Sequence, residues 1–130
     1  MIIDTSALAT IALNWIGSDD LLTAVGSASS LRISAGNLLE AYIVIDRRQS
    51  APATAILEQL LERFGLIVEP VTEAQVDIAR GAYRRYGKGS GHPARLNYGD
   101  CFAYALARYL DKPLLFIGND FAQTDIPRAQ

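Results

Sequence analysis

The chain reads as an α/β domain in which a mainly parallel sheet carries helices on both faces. Three observations predict it. Short apolar runs of strand length are each followed by longer segments of helical spacing, and repeated β-then-α units feed a parallel sheet. The opening run Ile2-Ile3 stops abruptly at Asp4 and the hydroxyls Thr5 and Ser6, as a strand does when it feeds a helix. The 130 residues suffice for one domain, 1–130, with a real core, and no linker, internal repeat or low-complexity tract divides them.

The elements follow in order. Residues 1–4 form an apolar strand, and 5–16 a helix with Thr5 or Ser6 at its cap. Residues 31–34, Leu-Arg-Ile-Ser, alternate at a strand's period of two. A helix starts at Ser34 or Ala35 and runs out near Asp46-Arg47-Arg48. Pro52 opens the next helix at a first-turn position, and Gly65 stops it after Arg63. Residues 66–70 are a strand broken by Pro70, and Thr72 starts a helix ending near Gly87. The longest loop, 87–99, leads to Asp100 and a helix of small residues, 101–110. Pro113 closes that helix, 114–117 form the last strand, and Gly118-Asn119-Asp120 turn away from it.

Composition narrows the chemistry. Half the residues are hydrophobic and a fifth charged, the balance of a soluble globular protein, with a net charge of −2. Nucleic acid must therefore be met by a local basic patch or by bound cations. The single cysteine, Cys101, allows no disulfide framework and points to a cytoplasmic protein. With one histidine, His92, no His/Cys zinc cluster can form. The N-terminal apolar residues are too few for a secretion signal, and no run approaches a membrane span.

Four acids stand out by position. Asp4 ends a buried strand, at the sheet edge where open α/β folds bind ligands, and reads equally as a helix cap. Glu40 is the only charge between Leu38 and Ile45; its alternative is a solvent stripe with Gly36, Val44 and Arg47, only half of which is polar. Asp100 sits in a helix's first turn, where the dipole favours acids, but the small residues behind it imply a central, tightly packed helix. Asp120 follows a strand and a glycine, where turn aspartates are common. Together they fall on one edge of the sheet. Several carboxylates brought together cannot all ionise without cations, and an oxygen-only donor set selects Mg²⁺ or Mn²⁺. The chemistry implied is metal-dependent hydrolysis of a phosphodiester.

The opening Met1-Ile-Ile-Asp-Thr-Ser-Ala-Leu, the isolated Glu40, the stretch Gly87-Lys-Gly-Ser-Gly-His-Pro-Ala-Arg-Leu-Asn-Tyr-Gly-Asp-Cys-Phe-Ala-Tyr-Ala-Leu-Ala and the ending Leu114-Leu-Phe-Ile-Gly-Asn-Asp-Phe-Ala-Gln-Thr-Asp-Ile resemble the PIN-domain ribonucleases, and among them the VapC-like toxins of type II toxin–antitoxin pairs. The resemblance covers essentially the whole chain. It implies a three-layer α/β/α fold with about five parallel strands and an endoribonuclease using Mg²⁺ or Mn²⁺. It also implies an antitoxin whose tail covers the groove, and a homodimer or larger homo-oligomer. The family's metal-binding acids fall on Asp4, Glu40 and Asp100. Its usual fourth position is Gly118 here, so Asp120 is the substitute, with Asn119 and Asp125 behind it. Thr5 or Ser6 takes the supporting hydroxyl's place.

On this reading Asp4 and Asp100 hold the principal cation, Glu40 orients or deprotonates water, and Asp120 completes the set. Lys88 and Arg95 are candidates to hold the RNA backbone, and Tyr98 to stack a base, against an ordinary surface loop as the alternative. The loop is not a P-loop, because no Ser or Thr follows its lysine. His92, Arg84 and Arg85 read as exposed, Cys101 as a buried small residue, and Trp15, Tyr42 and Tyr83 as core or dimer-contact aromatics ahead of a stacking role. Two other functions compete: a DNA-directed or structure-specific nuclease, and a metal-free interaction module whose acids only cap helices. A phosphoacceptor receiver domain lacks its acidic pair and late lysine here.

Overall fold

Successive residues of a strand point to opposite faces of its sheet, and this chain uses the alternation to build two cores. In the computed structural model, which describes residues 1–129, strand β1 (Ile2–Ile3) sends Ile3 into one apolar cluster and Ile2 into the other. The last strand, β4 (Leu114–Leu115), divides in the same way, Leu115 to the first and Leu114 to the second. Both faces of the sheet are thus covered, as parallel sheets require.

Between them run α1 (Thr5–Ala12), α2 (Ser18–Ser27), β2 (Arg32–Ser34), α3 (Ala35–Arg47), α4 (Ala51–Arg63), β3 (Ile67–Glu69), α5 (Glu73–Tyr86) and α6 (Tyr98–Leu110); a short 3-10 turn, Phe121–Gln123, follows β4. The strands pair in parallel in the order β3-β2-β1-β4. Helices α1 to α4 build the first core around Leu8, Ile45 and Leu57, while α5 and α6 build the second around Tyr86, Leu106 and Phe116. This is the three-layer α/β/α arrangement that the sequence predicts.

The sheet has four strands among the described residues, against the expected five or so. The fifth position is occupied by a single parallel bridge between Leu114 and Arg128, where Leu114 N donates to Pro127 O (2.9 Å) and Ala129 N to Leu114 O (2.9 Å). Pro127 has no N–H to extend a ladder, so the outer segment stays a bridge. The first helix also ends earlier than expected, at Ala12 instead of residue 16. Asn14 (φ 52°) and Gly17 (φ 92°) both take the left-handed conformation, which stops one helix and turns the chain into α2. The last long helix starts earlier than expected, at Tyr98, because Asn97 and Asp100 form a capping box.

The caps fix the architecture that matters for function. Asp4, Ser34 and Asn97 each accept a backbone N–H at the start of α1, α3 and α6. The chain exits of β1, β2 and β4 and the N-terminus of α6 therefore meet at the carboxyl edge of the sheet, where a crevice is expected.

Ile3 is completely buried between β4 and the first core. Truncating it tests how much the sheet depends on that face: Ile3→Ala is expected to lower unfolding free energy by about 2–5 kcal/mol and Ile3→Val by about 0.5–1.5 kcal/mol in urea titrations.

Candidate active site

Asp4 leaves the end of β1 almost fully buried, with 3% of its surface exposed. Its Oδ2 accepts two hydrogen bonds from Ser6, one from the backbone N (2.8 Å) and one from Oγ (2.6 Å). Ser6 Oγ in turn accepts from Ile117 N (3.1 Å), which ties the exit of β4 to the start of α1. Burial pushes the Asp4 carboxyl above its ordinary pKa and the Glu40 charge adds to the rise, against the lowering effect of the Ser6 bonds.

Glu40 sits one turn into α3 and is held from two sides. Thr5 Oγ1 donates to its Oε2 at 2.6 Å, and Asn37 Nδ2 donates to the same oxygen at 3.4 Å. Asn37 is fully buried, and the two hydrogens of the same Nδ2 are shared among Glu40 Oε2, Gly99 O (3.0 Å) and Thr5 Oγ1 (3.3 Å), so one amide pins α1, α3 and α6 together. Its orientation is dictated by its neighbours: the Gly99 carbonyl and the Glu40 carboxylate only accept. Among the described residues Asn37 Oδ1 is buried without a partner. Gly99 completes the cradle. A Cβ there would stand 2.6 Å from Glu40 Oε2, closer than any real contact, so the carboxylate lies across α6 only because the side chain is missing.

Asp100 occupies the third position of α6 and reciprocates its cap. Its Oδ2 accepts from Asn97 N (2.7 Å), while its own N donates to Asn97 Oδ1 (3.0 Å). Burial and the charges of Asp4, Asp120 and Glu40 push the carboxyl up to about 7, against the lowering effect of the Asn97 bond. Asp120 stands before the 3-10 turn and makes no capping bond.

These four acids line one cleft of about 350 Å³, with Thr5, Ser6, Asn97, Ile117 and Phe121. A larger groove of about 490 Å³ lies between α5 and α6, but its walls are mostly apolar (Val71, Val76, Ala79, Tyr83 and Phe102, with Gln75 and Arg80) and hold no carboxylate. Chemistry, not size, picks the acidic cleft. There the pattern is consistent: Asp4, Glu40 and Asp100 each tie one oxygen to a donor, and Asp4 Oδ1, Glu40 Oε1 and Asp100 Oδ1 make no hydrogen bond among the described residues. Oxygen donors of this kind suit a hard cation such as Mg²⁺. Among the described residues no three acids, histidines or cysteines already stand as a closed cage.

The other sequence-derived candidates fall elsewhere. Asn119 does not line the cleft. Asp125 accepts from Tyr104 OH (2.7 Å) in a separate cluster with Arg85 and Arg108. Lys88 and Arg95 are exposed on the long loop, outside the cleft wall. Tyr98, 80% exposed, packs edge-on against Phe102 (5.0 Å between centroids) and borders the apolar grooves instead. His92 lies edge-on to Tyr86, its Nδ1 accepting from Ala94 N. The Cys101 thiol, pushed up to about 11 by burial and by Asp100, is no thiolate. Two residues that brace Glu40 behind the cleft, Asn37 and Gly99, and one that lines it, Trp15, do not stand out in the sequence as site residues. Asn37, three before Glu40 on an apolar helix, was the readable signal; Gly99 needed the tertiary contact. Trp15, expected in the core or at a dimer contact, is 44% exposed and lines the acidic cleft.

The PIN domain family profile matches residues 1–127. Ribonuclease VapC28 of Mycobacterium tuberculosis is 44% identical over 129 residues, covering 99% of this chain and 97% of that protein. Ribonuclease VapC42 of the same species is 44% identical over 126 residues, 97% of this chain and 96% of its own. Ribonuclease VapC of Mycolicibacterium smegmatis is also 44% identical, over 97% of each. Among solved structures, the fold matches that of M. tuberculosis VapC20, described as a sarcin–ricin loop cleaving toxin, with a TM-score of 0.72. That match covers 96% of this chain and 95% of the other at 19% identity, a likeness of fold.

Raised carboxyl pKa values make a testable statement about stability. Asp100, at about 7 when folded, binds a proton that the unfolded chain, at its ordinary 3.8, does not hold. Metal-free protein is therefore expected to grow more stable as pH falls from about 8 to about 5.5, with its melting temperature rising by several degrees. Asp100→Asn should flatten that slope, and Mg²⁺ at the high-pH end should restore the lost stability; thermal melts with and without chelator read all three.

Proposed function

This chain belongs to the PIN-domain family, and within it to the VapC ribonucleases, and we propose that it is the toxin of a toxin–antitoxin pair, a metal-dependent endoribonuclease working at the acidic cleft. One observation carries the reading. Three carboxylates from distant parts of the chain enter a single cleft, each with one oxygen anchored and one free.

Asp4 and Asp100 offer their free oxygens as the principal ligands of Mg²⁺ or Mn²⁺, and Asp120 completes the set from the β4 exit. The cation, when bound, supplies water activation and offsets charge on the phosphate. Glu40 takes the proton from the attacking water through its free Oε1. The water oxygen bonds to phosphorus, the bond from phosphorus to the leaving ribose oxygen breaks, that oxygen takes a proton from solvent, and the chain is cut. Thr5 and Asn37 hold Glu40 so that no reorganisation accompanies proton transfer, and Gly99 leaves it the space to lie there.

The same reading supplies the partners: RNA as substrate, a cognate antitoxin that covers the cleft, and a second copy of the chain in a homodimer or larger assembly, all in the cytosol. The apolar groove between α5 and α6, which exposes Val76, Tyr83 and Tyr98, is the kind of surface that protein partners cover. No helix among the described residues is long and apolar enough to cross a membrane.

Labelled single-stranded RNA and DNA, incubated with Mg²⁺ or Mn²⁺ and with chelator, test the assignment. RNA should be cut only with the ion, and Asp4→Asn or Asp100→Asn should abolish cutting while leaving the fold intact. Cutting of DNA alone, or ion-independent cutting, overturns it. Gly99→Ala is a finer probe: the added methyl pushes Glu40 aside, and kcat is expected to fall about a hundredfold with little loss of stability. Combined with Glu40→Gln it should cost little more than either change alone, because both remove the same function.

A further inference from the structure

We propose that Trp15 and Arg48 form a nucleobase-binding platform at the rim of the acidic cleft, a subsite for a base adjoining the scissile phosphate of single-stranded RNA. The inference rests on the ribonuclease reading of the cleft and goes beyond it by naming where the substrate is gripped.

Trp15 lies in the connection between α1 and α2, just after the left-handed Asn14, and its backbone N is fastened to Thr10 O (3.0 Å). The fastening turns a large apolar side chain toward solvent, where 44% of it stays exposed. The exposed indole forms part of the same wall as Asp4, Glu40, Asp100 and Asp120.

The face of α3 that reaches it changes character in single helical steps. Glu40, Val44 and Arg48 are four residues apart, so they stack along one side of the helix over about 12 Å. Glu40 and Val44 line the cleft, and the Arg48 guanidinium carbon sits 5.3 Å from the Trp15 ring centroid, over its face. Arg48 is exposed and makes no ion pair among the described residues. The order is thus carboxylate, apolar wall, then an aromatic plane paired with a free cation.

That order matches a strand of RNA laid across the site. The scissile phosphate sits among the acids and their cation, a flanking base stacks on the exposed part of the indole that Arg48 does not cover, and the guanidinium's outer edge faces the next phosphate. Aromatic stacking tolerates any base, and a cation beside the ring adds to it. In a chain of net charge −2, a local cation beside the acids is what RNA binding needs.

Trp15 is the only tryptophan, so its emission reports this subsite alone. Titrating the Asp100→Asn protein in Mg²⁺ with single-stranded oligoadenylate or oligouridylate should quench that emission, and Arg48→Ala should weaken the binding seen. In an otherwise wild-type background, Trp15→Ala should raise KM for RNA about tenfold with kcat little changed, and Trp15→Phe should recover most of it. Unchanged emission overturns the proposal. So does a Trp15→Ala protein that keeps its KM while changing its oligomeric state, which reassigns the indole to a protein contact. Wild-type protein that cuts no RNA defeats the ribonuclease reading instead, and the emission titration then still decides whether nucleic acid reaches Trp15.

Discussion

Like charges crowded into one cleft repel, and this fold holds them together by giving three of the four carboxylates a neutral donor. Ser6 serves Asp4, Thr5 serves Glu40 and the Asn97 backbone serves Asp100. All three donors come from the first turn or cap of a helix, where unpaired N–H groups and short polar side chains are already in place. The capping geometry that starts α1 and α6 is therefore also the electrostatic support of the site. What remains unsatisfied is the second oxygen of each acid and the net negative charge, and both are relieved by a divalent cation.

The fold and the three principal acids were legible because their signals are local. A strand that ends in an acid, a lone charge in an apolar helix, and an acid at the start of a small-residue helix each stand out within a few positions. Asp120 was less distinct, because a turn aspartate has many uses, yet the structure brings it to the same wall. Gly99 was invisible for the opposite reason. Its role lies in what is missing from it, and only the approach of α3 to α6 shows which atoms need that space. Asn37 had a local signal, but its three partners lie on three elements, so its function as a clamp appears only when they meet.

The misjudged elements have physical causes too. Trp15 and Ile16 continue the apolar pattern of the first helix, so the expected helix ran through them. The backbone turns left-handed at Asn14 instead and leaves both side chains exposed. Apolar spacing speaks for burial only where an apolar surface stands ready to cover the face; among the described residues Trp15 meets the Arg48 guanidinium instead and Ile16 stays fully exposed. The basic residues of the long loop misled in a related way. Lys88 and Arg95 are close in sequence to Asp100, but the Gly87–Leu96 bridge folds the loop onto itself, with Lys88 N donating to Leu96 O, and neither side chain reaches the cleft wall.

The hydroxyl of Ser6 touches two strands' exits at once, giving its proton to Asp4 and receiving one from the Ile117 amide. Ile117 begins the short stretch that delivers Asp120. The last acid of the site is thus aligned through the first, by a relay of two hydrogen bonds across more than a hundred residues of intervening chain. A serine here is an orienting joint as well as a cap. The hydroxymethyl group therefore couples the pairing of β1 with β4 to the placing of the acidic wall.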